Sequence, residues 1–158
     1  MWICDTHSDT LFAMGVEKNA SPVITPARLR QGGVTLQTFA LWSGRQGNKG
    51  DVKGIMDAEM SMVPTMLAAG MKQVDDPTEA KEGESSFMLS IEGAEIFEGG
   101  LHTVAEWREK GVRMVALLWN NENKLGQSAK SGSAQGLTDY GVQVVKEMQR
   151  LHMAVDTS

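Results

Sequence analysis

A chain of 158 residues, 41% hydrophobic and 22% charged, is the size of a single globular domain and long enough to bury a core. Its formal net charge of −5, with lysines and arginines scattered, argues against nucleic acid or an anionic membrane surface as partner, since both call for a basic patch. One cysteine, Cys4, excludes an internal disulfide framework. No secretory signal or membrane-spanning apolar run is visible, so the cytoplasm is the expected compartment.

The run Trp2-Ile3-Cys4 reads as a short strand, and Asp5-Thr6-His7-Ser8-Asp9 forms its exit. Side chains alternate across a strand. His7 and Asp9 therefore leave on one face, with Asp5 behind them. An imidazole and a carboxylate at this spacing can reach one cation, and an N/O donor set suits zinc and several other divalent metals. Cys4 faces the other way and reads as a small buried strand residue rather than a nucleophile or ligand.

Thr25-Pro26 predicts a helix start, with a hydroxyl cap and proline at the first helical position; Gly32-Gly33 stops that helix. Residues 34–42 are rich in β-formers and predict a buried strand. The loop from Gly44 to Gly50 has a Gly-x-x-Gly spacing but lacks the Gly-Lys-Ser/Thr ending of a phosphate loop. A long helix is expected from about Asp51 to Met71, with Val52, Ile55, Met56, Met60, Val63 and Leu67 on its buried face. Its methionines read as core packing rather than as copper or heme ligands. Asp76-Pro77-Thr78-Glu79 carries a capping box and predicts a brief helix ending near Gly83.

Ser86 to Ile91 predicts a third strand, with Glu92-Gly93 at its exit. Leu101 to Lys110 predicts a helix stopped by Gly111, with Val104 and Trp107 facing the core and His102, near its start, a surface or capping residue. Val112 to Leu118 predicts a fourth strand, interrupted by Arg113 and followed by the polar cluster Trp119-Asn120-Asn121-Glu122-Asn123. After an aperiodic loop from Gly126 to Gly136, Thr138 caps a helix with a Leu137–Val142 staple and a stripe of Val142, Val145, Met148 and Leu151. Ala154 to Ser158 reads as the start of a fifth strand.

Nearly all-apolar strands alternating with helices indicate a parallel sheet covered by helices. Two α/β architectures satisfy this, an open doubly wound sheet or part of a (β/α)₈ barrel. In barrels the chemistry gathers at the C-terminal ends of several strands. Asp5, His7, Asp9, Glu92, Asn120 and Asn123 all fall at such ends. The doubly wound alternative lacks a Gly-rich dinucleotide fingerprint after its first strand.

Five segments resemble the zinc-dependent membrane (renal-type) dipeptidase family. They are Asp5-Thr6-His7-Ser8-Asp9-Thr10-Leu11, Ser90-Ile91-Glu92-Gly93, Gly111-Val112-Arg113-Met114, Gly136 to Gly141 with Val144 to Met148, and Val155-Asp156-Thr157-Ser158. The resemblance implies a (β/α)₈ TIM-barrel metallohydrolase with two adjacent zinc ions. It places metal-ligand roles on His7 and Asp9, and the catalytic, metal-bridging carboxylate on Glu92. Two further histidines of the family pattern have no match in this chain. A whole barrel needs about 250 residues, so residues 1–158 are expected to be the N-terminal part, with about five strands, of a single barrel domain. Trp119 stands where some members have a substrate-contacting histidine, so substrate preference does not transfer directly.

The function expected from this resemblance is hydrolysis of a dipeptide through a water bridging the two metals. Asp5 either orients His7 or caps the strand end, and Trp119, Asn120 and Asn123 are candidates on the substrate side. The 158-residue chain alone is expected to be inactive. The alternative is a non-catalytic fragment or interaction subunit that associates, for instance as a homo-oligomer, through its open side. Other amidohydrolases commonly begin with His-x-His, and haloacid-type phosphatases need Asp-x-Asp. Neither pattern is present at the first strand.

Overall fold

The computed structural model describes residues 2–43 and 51–158, so the expected loop from Gly44 to Gly50 lies outside the described residues. The strands β1 (Cys4–Asp5), β2 (Leu36–Trp42), β3 (Lys72–Gln73), β4 (Ser86–Glu92), β5 (Val112–Ala116) and β6 (Ala154–Asp156) run in the order β1-β2-β4-β5-β6, with β3 also paired to β4. Two compact units can be taken in turn, Met1–Trp42 with Gly54–Leu89, and Ser43–Lys53 with Ser90–Ser158.

In the first unit, β1 (Cys4–Asp5) pairs in parallel with β2 (Leu36–Trp42), Cys4 opposite Leu36 and Asp5 opposite Gln37. Beyond that register, Ser8 C=O accepts from Ala40 N–H at 3.0 Å, so the strand exit stays tied to β2. Every residue of β2 from Leu36 to Leu41 is buried, as expected of a parallel strand covered on both faces. Phe39 of β2 meets Phe87 of β4 (Ser86–Glu92), with ring centroids 5.5 Å apart.

The helix α1 (Thr10–Gly15) follows directly on Asp9 and was not predicted; at six residues it is too short to show a period. By contrast, α2 (Pro26–Gln31) starts and stops where expected, with the Thr25 hydroxyl accepting from Arg28 N–H and Gly32 at its end. The single helix expected over Asp51 to Met71 is two, α3 (Val52–Met60) and α4 (Val63–Ala68). Pro64 is the cause. It supplies no N–H to the ladder and its ring crowds the preceding turn, so it is tolerated only in the first turn of a new helix. The buried stripe shifts with the break: Met56, Val63 and Met66 are buried, and Leu67 is exposed. The capping box at Asp76 forms as predicted, but it opens one 3₁₀ turn, Pro77–Glu79, rather than a helix reaching Gly83. Before it, β3 (Lys72–Gln73) pairs in parallel with the start of β4.

In the second unit, α5 (His102–Glu109) buries Val104 and Trp107, and β5 (Val112–Ala116) follows it. Arg113, the one charge in that strand, is buried and donates through Nη1 to the carbonyls of Arg108 and Val112. A cation placed on the last carbonyls of a helix also meets the negative end of its dipole. The helix α6 (Asp139–Arg150) has the expected Thr138 cap, whose hydroxyl accepts from Gly141 N–H at 3.0 Å. Its buried face is Gly141, Val144 and Met148 rather than the predicted stripe, of which Met148 alone is buried. Finally, β6 (Ala154–Asp156) pairs in parallel with β5, Val155 opposite Val115. No helix among the described residues is long and apolar enough to cross a membrane.

Candidate metal centre

The strand-exit geometry read from the sequence is present. His7 Nε2 lies 3.3 Å from Asp9 Oδ1, and both side chains are about half exposed, at 49% and 59%. Asp9 is also the N-cap of α1, its carbonyl accepting from Ala13 N–H at 2.9 Å, which ties the ligand segment to a helix start. Asp5 Oδ1 accepts from the backbone N–H of His7 at 3.2 Å. Of the two roles open to it, this is the one that fixes the main chain at the strand end.

Glu92 is the last residue of β4, half-buried, and Gly93 follows it in the left-handed region at φ +81°. Within the first unit, the His7 imidazole and the Asp9 carboxylate, 3.3 Å apart, are chemically suited to a divalent cation such as zinc.

The polar cluster after β5 is divided in its work. Asn123 uses its side-chain amide locally, donating to Leu117 C=O at 2.9 Å and accepting from Leu125 N–H at 2.8 Å, so it shapes the turn. Asn120 is held through its carbonyl, which accepts from the Ser128 hydroxyl at 2.9 Å. Trp119 lines a cavity of about 460 Å³ with Leu117, Leu118, Leu137 and Val155. Cys4 packs partly buried against Leu36, Val74 and Ala80; burial, then the Asp5 charge, pushes its thiol up and keeps it a poor nucleophile. His102 is on the surface beside Glu106 at 4.0 Å, as predicted.

One carboxyl escaped the sequence analysis. Glu59, on α3, is 0% exposed, and both its oxygens lie within hydrogen-bond distance of Trp42 N–H, at 3.1 and 3.2 Å. Burial raises its pKa to about 9, the Trp42 N–H opposes the shift, and the Asp9 charge adds to it. A second buried acid, Glu95, accepts from the Ser43 hydroxyl at 3.2 Å.

The model of the membrane dipeptidases, peptidase family M19, matches residues 1–158. A metallopeptidase from Rhodobacter sphaeroides, liganded with a phosphinate mimic of the dipeptide L-Ala-D-Ala, has a TM-score of 0.81 at 18% identity; the match covers 100% of this chain and 58% of that one. The dipeptidase AC, a metallopeptidase, has a TM-score of 0.79 at 18% identity, covering 100% of this chain and 56% of that one. An uncharacterized dipeptidase of Schizosaccharomyces pombe is 31% identical over 80 residues, 48% of this chain and 19% of that protein. The chain spans a little over half the length of these two solved structures. At this identity the likeness establishes the fold, an α/β (β/α)₈ barrel of which this chain supplies part.

Proposed function

Because the chain belongs to the membrane dipeptidase family, peptidase family M19, we propose that it serves a zinc-dependent dipeptidase and that His7, Asp9 and Glu92 are its metal ligands. The observation that carries the proposal is the 3.3 Å approach of His7 Nε2 to Asp9 Oδ1 just beyond β1; Glu92, at the end of β4, joins them by the family resemblance. Each donor comes from a strand exit, where barrel enzymes keep their chemistry.

The roles of the residues follow from their chemistry. His7 offers a neutral nitrogen and Asp9 a single charge beside it. Asp9 and Glu92 each have two carboxylate oxygens; the family resemblance gives Glu92 the place shared by two cations, where its charge would offset part of theirs. The Asp5 carboxylate holds the His7 main chain, which limits the directions its ring can take. A divalent metal bound there supplies a Lewis acid for the scissile carbonyl and lowers the pKa of a water, the two needs of amide hydrolysis at neutral pH. The substrate proposed is a dipeptide; the L-Ala-D-Ala mimic bound by the Rhodobacter sphaeroides protein supports that class.

The test is zinc titration of the metal-stripped chain by calorimetry, with His7→Ala, Asp9→Ala and Glu92→Ala beside it. Each variant should weaken binding by at least ~10-fold, the scale on which even outer-shell losses act, with the far-ultraviolet circular dichroism unchanged. Affinity equal to the parent in all three variants would end the proposal.

A further inference from the structure

We infer that Glu59 is a positioning residue for the His7–Asp9 ligand pair, acting through the end of β2. The inference rests on the metal-ligand assignment above.

The linkage is short and runs through contacts within the first unit. Ser8, the residue between His7 and Asp9, is held by Ala40 N–H of β2 at 3.0 Å. Two residues on, Trp42 closes β2, and its N–H is received by the Glu59 carboxyl at 3.1 and 3.2 Å. The helix that Asp9 caps, α1, is seated on the same two elements. Phe12 of α1 meets the Trp42 ring at 5.1 Å between centroids, tilted by 56°. Gly15 lies so close to α3 that an added Cβ would fall 2.4 Å from the Ala58 carbonyl oxygen. Glu59 thus binds the strand end that holds the ligand segment from one side, and its own helix backs the α1 that holds it from the other.

The residue type is as telling as the position. Core positions favour apolar side chains, and a fully buried carboxyl is costly unless its polar atoms are engaged. Here the carboxyl supplies an acceptor to Trp42 N–H at the strand's last residue. A leucine would fill the space and remove the acceptor that Glu59 supplies to Trp42 N–H, loosening the end of β2. Metal sites are sensitive to such shifts, and loss of an outer-shell partner commonly weakens binding ~10–100-fold.

The experiment compares zinc affinity by calorimetry, and the visible spectrum of the cobalt-substituted chain, for the parent, Glu59→Leu, Glu59→Asp, Glu59→Gln and Met66→Ala. Met66 is buried in the same unit and makes a destabilised control. Thermal melts fix a temperature at which every chain is folded. Glu59→Leu is expected to bind zinc ~10-fold or more weakly and to alter the cobalt spectrum. Glu59→Asp, one methylene shorter, serves if the leucine variant does not fold, and should weaken binding in the same direction. Glu59→Gln keeps an acceptor for Trp42 N–H and should restore affinity and spectrum, while Met66→Ala should leave both at parental values. Parental affinity in Glu59→Leu and Glu59→Asp, or an equal loss in Met66→Ala, overturns the inference. His7→Ala separates the two failures: if it too binds like the parent, the metal assignment itself has failed.

Discussion

Among single residues, Glu59 makes the most direct demand on measurement. Its folded pKa of about 9 lies above the ordinary value of 4.5, because burial disfavours the charged form. Between those values the unfolded chain releases a proton that the folded chain retains, so stability falls as pH rises and levels off above the folded pKa. Glu59→Gln removes this term and leaves the acceptor for Trp42 N–H. In urea unfolding, the parent should therefore lose stability relative to Glu59→Gln by about 1.4 kcal/mol per pH unit between pH 5 and 8. Parallel pH profiles for the two chains would show that Glu59 is ionised in the fold. Why the sequence concealed this residue is clear from its neighbours. Asp57-Ala58-Glu59 reads as an acidic patch on a helix, and nothing local says that the end of a strand 17 residues earlier requires an acceptor. Asp5, His7, Asp9 and Glu92 stood out because they follow directly on apolar runs; β1 ends at Asp5 and Asp9 caps α1, so strand alternation does not set where His7 and Asp9 point. Asn123 was legible as a polar residue near a strand end, but its engagement with Leu117 and Leu125 depends on a turn that spacing does not specify.

Among elements, caps were easier to read than faces. Thr25, Asp76 and Thr138 each satisfy a free N–H within three residues of themselves, so a short window contains the whole interaction. The buried face of α6 depends on something remote. Leu125 lays its backbone across Gly141, where an added Cβ would sit 2.0 Å from the Leu125 carbonyl oxygen, and the helix turns that side inward. Val142, predicted to be buried, is 40% exposed as a result. Alanine normally improves a helix interior over glycine by about 1 kcal/mol. Gly141→Ala should nevertheless lower unfolding stability by about 1–3 kcal/mol, the usual cost of overpacking. A urea midpoint at or above the parental one would show that the Leu125 loop yields without cost. The broken helix at Pro64 teaches the complementary lesson. Hydrophobic spacing ran through the break because α3 and α4 both bury apolar side chains, and the missing proline N–H was the stronger signal.

For the molecule as a whole, the histidines decide what residues 1–158 can do. The sequence has three. His7 is at the ligand group, His102 stands exposed beside Glu106 on α5, and His152 occupies an exposed turn at φ +54° after α6. His7, Asp9 and Glu92 are the donors proposed above. A site with one imidazole and two carboxylates has enough donors for a single four-coordinate zinc with an open position. A second ion sharing Glu92 would have no imidazole of its own from these residues. The 158-residue chain should accordingly bind close to one equivalent of zinc. With zinc saturating, it should hydrolyse dipeptides far more slowly than a full-length family member, because a second ion, which would clamp the attacking and leaving groups together with the first, has no imidazole from these residues. Metal analysis after dialysis gives the stoichiometry, and a ninhydrin or chromatographic assay of free amino acid gives the rate. Two tightly held ions, or turnover matching a full-length family member, would mean that donors beyond the imidazole–carboxylate trio complete the centre.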